Sequence, residues 1–382
     1  MNGMGKMANK KNGTVTTRVV CTVCFLLFSF LWLYMFQADV LAVAQHTLSH
    51  GVTHYDRTIG AVLITVCLSL LQQGVYAVTR LSRRTHALTY LPSFLFLAFL
   101  SGFSAGSTSS AVAWSLLIPV VLALWGAGVW LARQLLPFEK DGKLPTGLFS
   151  RRVWLNLSQM AAMMLAVAAL GNTNAVYHFK AHAETALARG DADEALRVGR
   201  RSLETDSRLT MLRAYALSRK GIMGERLFCY PVTGKGDDLL PASGRLMLLP
   251  ADSIWKHLGG RPIYRLTARQ YYQALEKDSL ATAAVADYVL CGLLIDRDLD
   301  AFAETLPRYY DLSEQLPKHY REALTLYRHL RSTPYIIYED PVMEEDWEDM
   351  QLLEKQYAKT RERQLNMLEH YGNSYWYYYY YR

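Results

Sequence analysis

Acidic residues are nearly missing from the first 172 positions of this 382-residue chain, where Asp39, Asp56, Glu139 and Asp141 are the only four. Long apolar runs stand in their place, and none of these runs contains a Lys, Arg, Glu or His. Ion-coupled pumps normally carry such a charge inside their spans, so that class is disfavoured. Cysteine is scarce as well, at five. Cys21, Cys24 and Cys67 fall in apolar runs, where small, buried, inert thiols are expected. Cys229 and Cys291 form the only pair outside those runs, and a disulfide between them stays open, because sequence does not say whether their β-carbons meet. The chain has no glycine-rich phosphate loop, Gly-x-Ser-x-Gly elbow or His-Glu-x-x-His, and no Cys-x-x-Cys in its second half. No catalytic residue, cofactor or metal ligand is therefore assigned, and the chain is expected not to be an enzyme. A basic stripe with interleaved aromatics is also absent, which excludes nucleic acid as a partner despite the net charge of +7.

The two halves differ in composition. Residues 1–172 carry 13 Lys/Arg against 4 Asp/Glu, whereas residues 173–382 carry 28 against 30. The apolar runs predict spans at about 19–41, 59–79, 87–103, 111–131 and 153–171, since ~20 apolar residues cross the ~30 Å of a bilayer core. A polar, basic leader over 1–18 is expected to be disordered. Ala42-Val43-Ala44 has the form of a signal-peptide cleavage site, but the apolar stretch before it exceeds a signal core, so an uncleaved span is expected. Small residues such as Gly126, Gly128, Ala161 and Ala162 would let helix backbones approach closely. Lys and Arg counted over alternate loops give twelve against one. The N-terminus is therefore expected in the cytoplasm, and five spans place the second half across the membrane.

The second half reads as paired helices. Val176–Arg189 and Glu194–Glu204 flank a turn, and Phe179, Ala183, Ala186, Gly190, Ala195, Gly199 and Ser202 alternate bulky and small as in a tetratricopeptide repeat. Leu209–Gly221 and Ile222–Phe228 follow, then a Pro/Gly-rich irregular insert over 229–265. Helices resume at Leu266–Glu276, Thr282–Leu294, Asp298–Tyr310 and Pro317–Leu330, with one long helix predicted from Asp340 to about His370. The tail over 371–382 is too aromatic to be solvated. It packs back on the repeats, lies at the membrane interface or meets a partner, and β-structure is open to it. The fold class is thus all-α: a bundle of about five transmembrane helices over 19–172, then a degenerate tetratricopeptide-like domain over 173–370.

The segments RAYALSRKGIMGERLFCYP, LPKHYREAL and GNSYWYYYYYR resemble those of an uncharacterised family of multi-span membrane proteins of Bacteroidetes-type bacteria. That resemblance implies a Gram-negative inner membrane, a tetratricopeptide-like periplasmic domain, and no catalytic residues that carry over. One constellation invites metal: His46, His50 and His54 at four-residue spacing, echoed by His178 and His182 after the last span. Gly51 weakens such a helix, and no Glu or Cys completes the set, so metal binding is the lesser reading. The expected function is a membrane-anchored scaffold that binds a protein partner. The alternative is a membrane enzyme or transport accessory with a site at the outer interface.

Overall fold

The computed structural model describes residues 2–81, 83–102, 108–135, 150–241, 246–262, 264 and 266–382, and every regular element among these residues is helical. The chain divides into two compact units, 1–174 and 175–382.

In the first unit, α1 (Asn2–Leu31) runs into a π-helical turn at Trp32–Phe36, followed by α2 (Ala38–Leu48) and α3 (Arg57–Thr79). The leader expected to be disordered is thus helical from Asn2. Asp56 caps α3, accepting from the Thr58 and Ile59 amides. A 3-10 stretch, Arg83–Tyr90, leads into α4 (Leu91–Ser101), and α5 (Thr108–Leu135) and α6 (Arg151–Leu170) complete the unit. The run at 87–103 is therefore not one α-helix. Pro92 has no amide hydrogen to give and sits in the first turn of α4, the one place where that is harmless. Among the described residues, four helices are long and apolar enough to cross a membrane: Val15–Phe36, Arg57–Thr79, Val112–Gln134 and Arg151–Leu170. The loop residues 103–107 and 136–149, which enter the lysine and arginine count, lie outside the described residues.

Side-chain pairings set the direction of each helix. At one end, Arg18 meets the Tyr76 hydroxyl and Thr22 pairs with Tyr90 at 2.9 Å. At the same level the Asn156 carbonyl accepts from the Ala87 amide at 2.8 Å, and Trp125 Nε1 donates to Leu88 O at 2.9 Å. At the other end Arg57 reaches Tyr34 O, Trp32 Nε1 donates to Ser101 Oγ at 2.7 Å, and the Asn172 amide donates to Ser101 O at 2.8 Å. Hence α1, the 3-10/α4 segment and α6 run one way, and α3 and α5 run the other. Phe25, Tyr90, Phe94 and Leu97 fill the space between them. A β-carbon added at Gly126 or Gly128 would meet nothing within 4 Å, and Ala161 and Ala162 are exposed. The expected small-residue seams are thus not where these helices meet; aromatic and hydroxyl groups make the contacts instead.

The second unit opens with α7 (Ala175–Ala188), α8 (Ala192–Arg197), α9 (Ser207–Arg219) and α10 (Met223–Arg226), which continues into a 3-10 turn at Leu227–Cys229. Asp191 and Asp206 cap α8 and α9. The helix expected over 194–204 stops early. Gly199 adopts φ +60°, and a β-carbon there would stand 2.8 Å from the Phe179 ring, so the close approach of that ring requires glycine. The insert holds a 3-10 turn at Gly236–Leu239 and α11 (Ala251–Leu258). Then come α12 (Ala268–Lys277), α13 (Ala284–Ile295), α14 (Leu299–Thr305), α15 (Lys318–Leu330), α16 (Pro341–Gln356), α17 (Thr360–Tyr371) and α18 (Tyr375–Tyr381).

Two expectations change here. The single helix over 340–370 is two, because Tyr357 and Lys359 take extended backbone angles and fold α17 back. The Tyr371 hydroxyl then lies 3.4 Å from Asp346 O, near the start of α16. The tail is helical, not β, and packs on its own unit: Tyr375, Trp376, Tyr377 and Tyr378 all join the core that runs from α7 through α15. Each such ring contributes a few kcal/mol on burial.

Candidate functional site

The three segments that carry the family resemblance converge on one point of the second unit. α15 begins at Lys318, and its His319 and Glu322, one turn apart, fall on the buried face with exposures of 0% and 2%. His319 Nδ1 pairs with Glu322 Oε2 at 2.8 Å. The other ring nitrogen, Nε2, lies 3.9 Å from the sulfur of Cys229, at the end of the 3-10 turn after α10. The Phe228 ring stands edge-on to His319 at 5.2 Å and to Tyr375 at 5.0 Å.

The carboxylate of Glu322 also ties down α18. Its Oε2 accepts from the Tyr375 amide at 2.7 Å, while the Glu322 carbonyl accepts from Trp376 Nε1 at 2.7 Å. Lys318 Nζ lies 3.6 Å from Oε1 and donates to Asn373 O at 3.3 Å. A buried carboxylate with this many donors is satisfied, and its charge is held in place.

The electrostatics follow from that charge. Burial lowers the His319 pKa, but Glu322 beside it and the Cys229 sulfur outweigh burial and hold the ring above its ordinary value. Burial raises the Cys229 thiol, yet the His319 hydrogen bond and the nearby charges of His319 and Lys318 bring it below its ordinary value. The thiol is partly exposed, whereas the imidazole beneath it is fully buried. Sulfur, imidazole and carboxylate in this order stabilise a thiolate.

Cys291 is different. Its sulfur is fully buried, 3.5 Å from the Tyr320 hydroxyl, and burial pushes its pKa well up. Tyr320 and Tyr310 both donate to Asp287 Oδ1, at 2.8 and 2.7 Å. Both cysteines are free, so the disulfide left open by the sequence is not formed.

The histidine constellation does not assemble as a helical face. α2 ends at Leu48, His50 and Gly51 take φ +51° and +82°, and the Gly51 amide returns to His46 O at 2.9 Å. His54 lies beyond this reversal, outside any helix. In the second unit, His182 Nε2 pairs with Glu194 Oε1 at 3.2 Å and His178 packs edge-on to Tyr177. Among the described residues no group of three His, Cys, Asp or Glu stands together as a metal site.

A cavity of about 250 Å³ opens among α12, α13 and α14. Arg269, Gln273, Glu276, Asp298 and Arg308 line it, and the ring of Tyr288 backs it. Arg308 and the Tyr309 hydroxyl both reach Glu276.

The sequence named Cys229 only as half of a disulfide and did not name His319 or Glu322. Ninety positions separate thiol from imidazole, so no motif spacing links them. The available signal was a His-x-x-Glu turn on the apolar face of an amphipathic helix, where a charged pair has no reason to be unless something holds it.

A model for a "Family of unknown function (DUF6057)" matches residues 265–382, which include His319, Glu322 and the aromatic tail but not Cys229. No curated protein matches the chain, and no solved structure does.

Proposed function

We propose that this chain is a membrane-anchored binding module. Five crossings hold a tetratricopeptide-like helical domain across the membrane from the N-terminus, where it receives a protein partner rather than catalysing a reaction. The observation that carries the binding role is the cavity among α12, α13 and α14. Arg269, Arg308, Glu276 and Asp298 offer both signs of charge beside the part-exposed ring of Tyr309, a lining suited to an extended peptide with alternating polar and apolar side chains.

The count of five is supported by direction. The 3-10/α4 segment pairs in parallel with α1 and α6 and antiparallel to α3 and α5, as a crossing element would. At roughly 2.0 Å per 3-10 residue and 1.5 Å per α residue, its apolar part from Ala87 to Ser101 reaches about 24 Å, most of the ~30 Å of a bilayer core. Arg18, Arg80, Arg133, Arg151 and Arg152 all belong to one end of the bundle, the end that the positive-inside rule keeps in the cytosol. The family resemblance favours a Gram-negative inner membrane with the second unit in the periplasm.

A photo-crosslinking residue in place of Gln273, in intact cells, tests the role. A single stoichiometric protein adduct that disappears in Arg269→Glu supports it; no adduct above the level of a surface control overturns it. A reporter enzyme joined through a linker after Arg382 tests the placement. Activity confined to the cytosol would sink it.

A further inference from the structure

We propose that Cys229, His319 and Glu322 form a reactive-thiol site that exchanges with small disulfides. The observations are geometric. A partly exposed sulfur sits 3.9 Å above the Nε2 of a fully buried imidazole, and the Nδ1 of that ring is fixed at 2.8 Å by a carboxylate that is itself held by Lys318 and the Tyr375 amide. A structural cysteine would be wholly buried with no imidazole against it, as Cys291 is beside Tyr320.

The chemistry is narrowed by burial. Acyl transfer with hydrolysis requires the imidazole to activate a water after the nucleophile is acylated. His319 has no exposed surface and the sulfur covers its outer nitrogen, so that second half has no route. Disulfide exchange needs only a stabilised thiolate. The Cys229 thiol passes its proton to His319 Nε2. The thiolate attacks one sulfur of a disulfide RS–SR, a new S–S bond forms to Cys229, the old one breaks, and the departing RS⁻ takes up a proton. Cys229 is oxidised and the disulfide reduced, with no further reactant. Cys291, the second cysteine of this unit, is buried against Tyr320, so the product is a mixed disulfide rather than an internal one.

The charged groups around the sulfur come from two elements: His319, Lys318 and Glu322 on α15, and Glu225 of α10, which accepts from the Lys318 amide at 2.6 Å. The Asn373 carbonyl before α18, 3.8 Å from the sulfur, is a neutral acceptor for the thiol. Lysine and imidazolium together outweigh the carboxylates nearest the thiol.

The test uses the full chain in detergent. The rate of Cys229 alkylation by iodoacetamide is measured by peptide mass spectrometry from pH 5 to 10, with free glutathione as reference. The expected profile has its midpoint below the ~8.5 of a free thiol, so that Cys229 carries more thiolate than the reference at pH 6.5. His319→Gln should return the midpoint to the free-thiol range. Incubation with oxidised glutathione should place one glutathione on Cys229 and none on Cys291. A wild-type midpoint at or above the free-thiol value overturns the proposal, and that measurement stands even if the variant fails to fold. So does an unchanged midpoint in a folded His319→Gln protein, or no mixed disulfide on Cys229.

Discussion

The two units solve burial in opposite ways. In the first, only 11–22% of each long apolar window is buried within the protein, and side chains such as Leu63, Leu124 and Leu165 face outward. Its helices meet through single hydrogen bonds: Asn156 with Ala87, Gln72 with Thr89 at 3.0 Å, Trp32 with Ser101. In the second, one core extends from α7 to α18, and buried carboxyls such as Glu184 and Glu322 are each held by more than one donor. Lipid can cover the apolar faces of the first unit. The second has to cover its own, which is why an aromatic helix is needed to close it.

That comparison breaks most severely if α18 is taken away. Deleting residues 374–382 removes four buried rings, each worth about 3–5 kcal/mol, which together match or exceed the 5–15 kcal/mol that holds a typical domain. The second unit should become protease-sensitive at 25 °C while the first keeps its helicity by circular dichroism. Loss of helicity in the first unit as well would overturn this expectation.

The buried polar groups sharpen it next. The raised pKa of His319 means that its stabilisation is complete below about pH 6.5 and fades as pH climbs through the folded-state value. Thermal proteolysis of the second unit should therefore set in at lower temperature at pH 9 than at pH 6. That slope should be shallower in His319→Asn, which should also lower stability at pH 6 by about 2 kcal/mol.

Glu184 makes a smaller test of the same kind. Burial raises its carboxyl pKa despite hydrogen bonds from the Leu248 and Leu249 amides, at 2.6 and 3.1 Å. A raised acid favours the fold below the unfolded value of about 4.5 and loses that advantage as pH rises through the folded value. Glu184→Gln keeps an acceptor and sheds the charge, so the unit should gain about 1 kcal/mol at pH 8, read as a higher midpoint of thermal proteolysis.

The smallest effect belongs to the first unit. Asn156→Leu removes the acceptor for the Ala87 amide and should lower the unfolding midpoint in detergent by the equivalent of about 1 kcal/mol. A loss as large as that of deleting α18 would mean that polar contacts dominate this bundle after all.

Periodicity made much of this architecture legible. The apolar windows of α3, α5 and α6 and the helices α7, α9, α13 and α15 were each visible as runs or stripes with caps, because burial on one face leaves a local trace. Breaks were harder to see. Nothing local shows that a 3-10 stretch precedes Pro92 inside the run at 87–103, and nothing local at Tyr357 announces the reversal into α17. The thiol site was not legible at all. His319 and Glu322 sit one turn apart on α15, but Cys229 reaches them only because α10 packs on α15, and tertiary packing leaves no spacing to read.

The Cys229 sulfur touches both His319 and the carbonyl of Asn373, the residue before the cap of α18. Anything bonded to that sulfur has to displace one neighbour or the other. The oxidation state of a single atom would thereby be felt at the hinge of the aromatic helix, 144 residues farther along the chain, just ahead of the tyrosines it helps to seat.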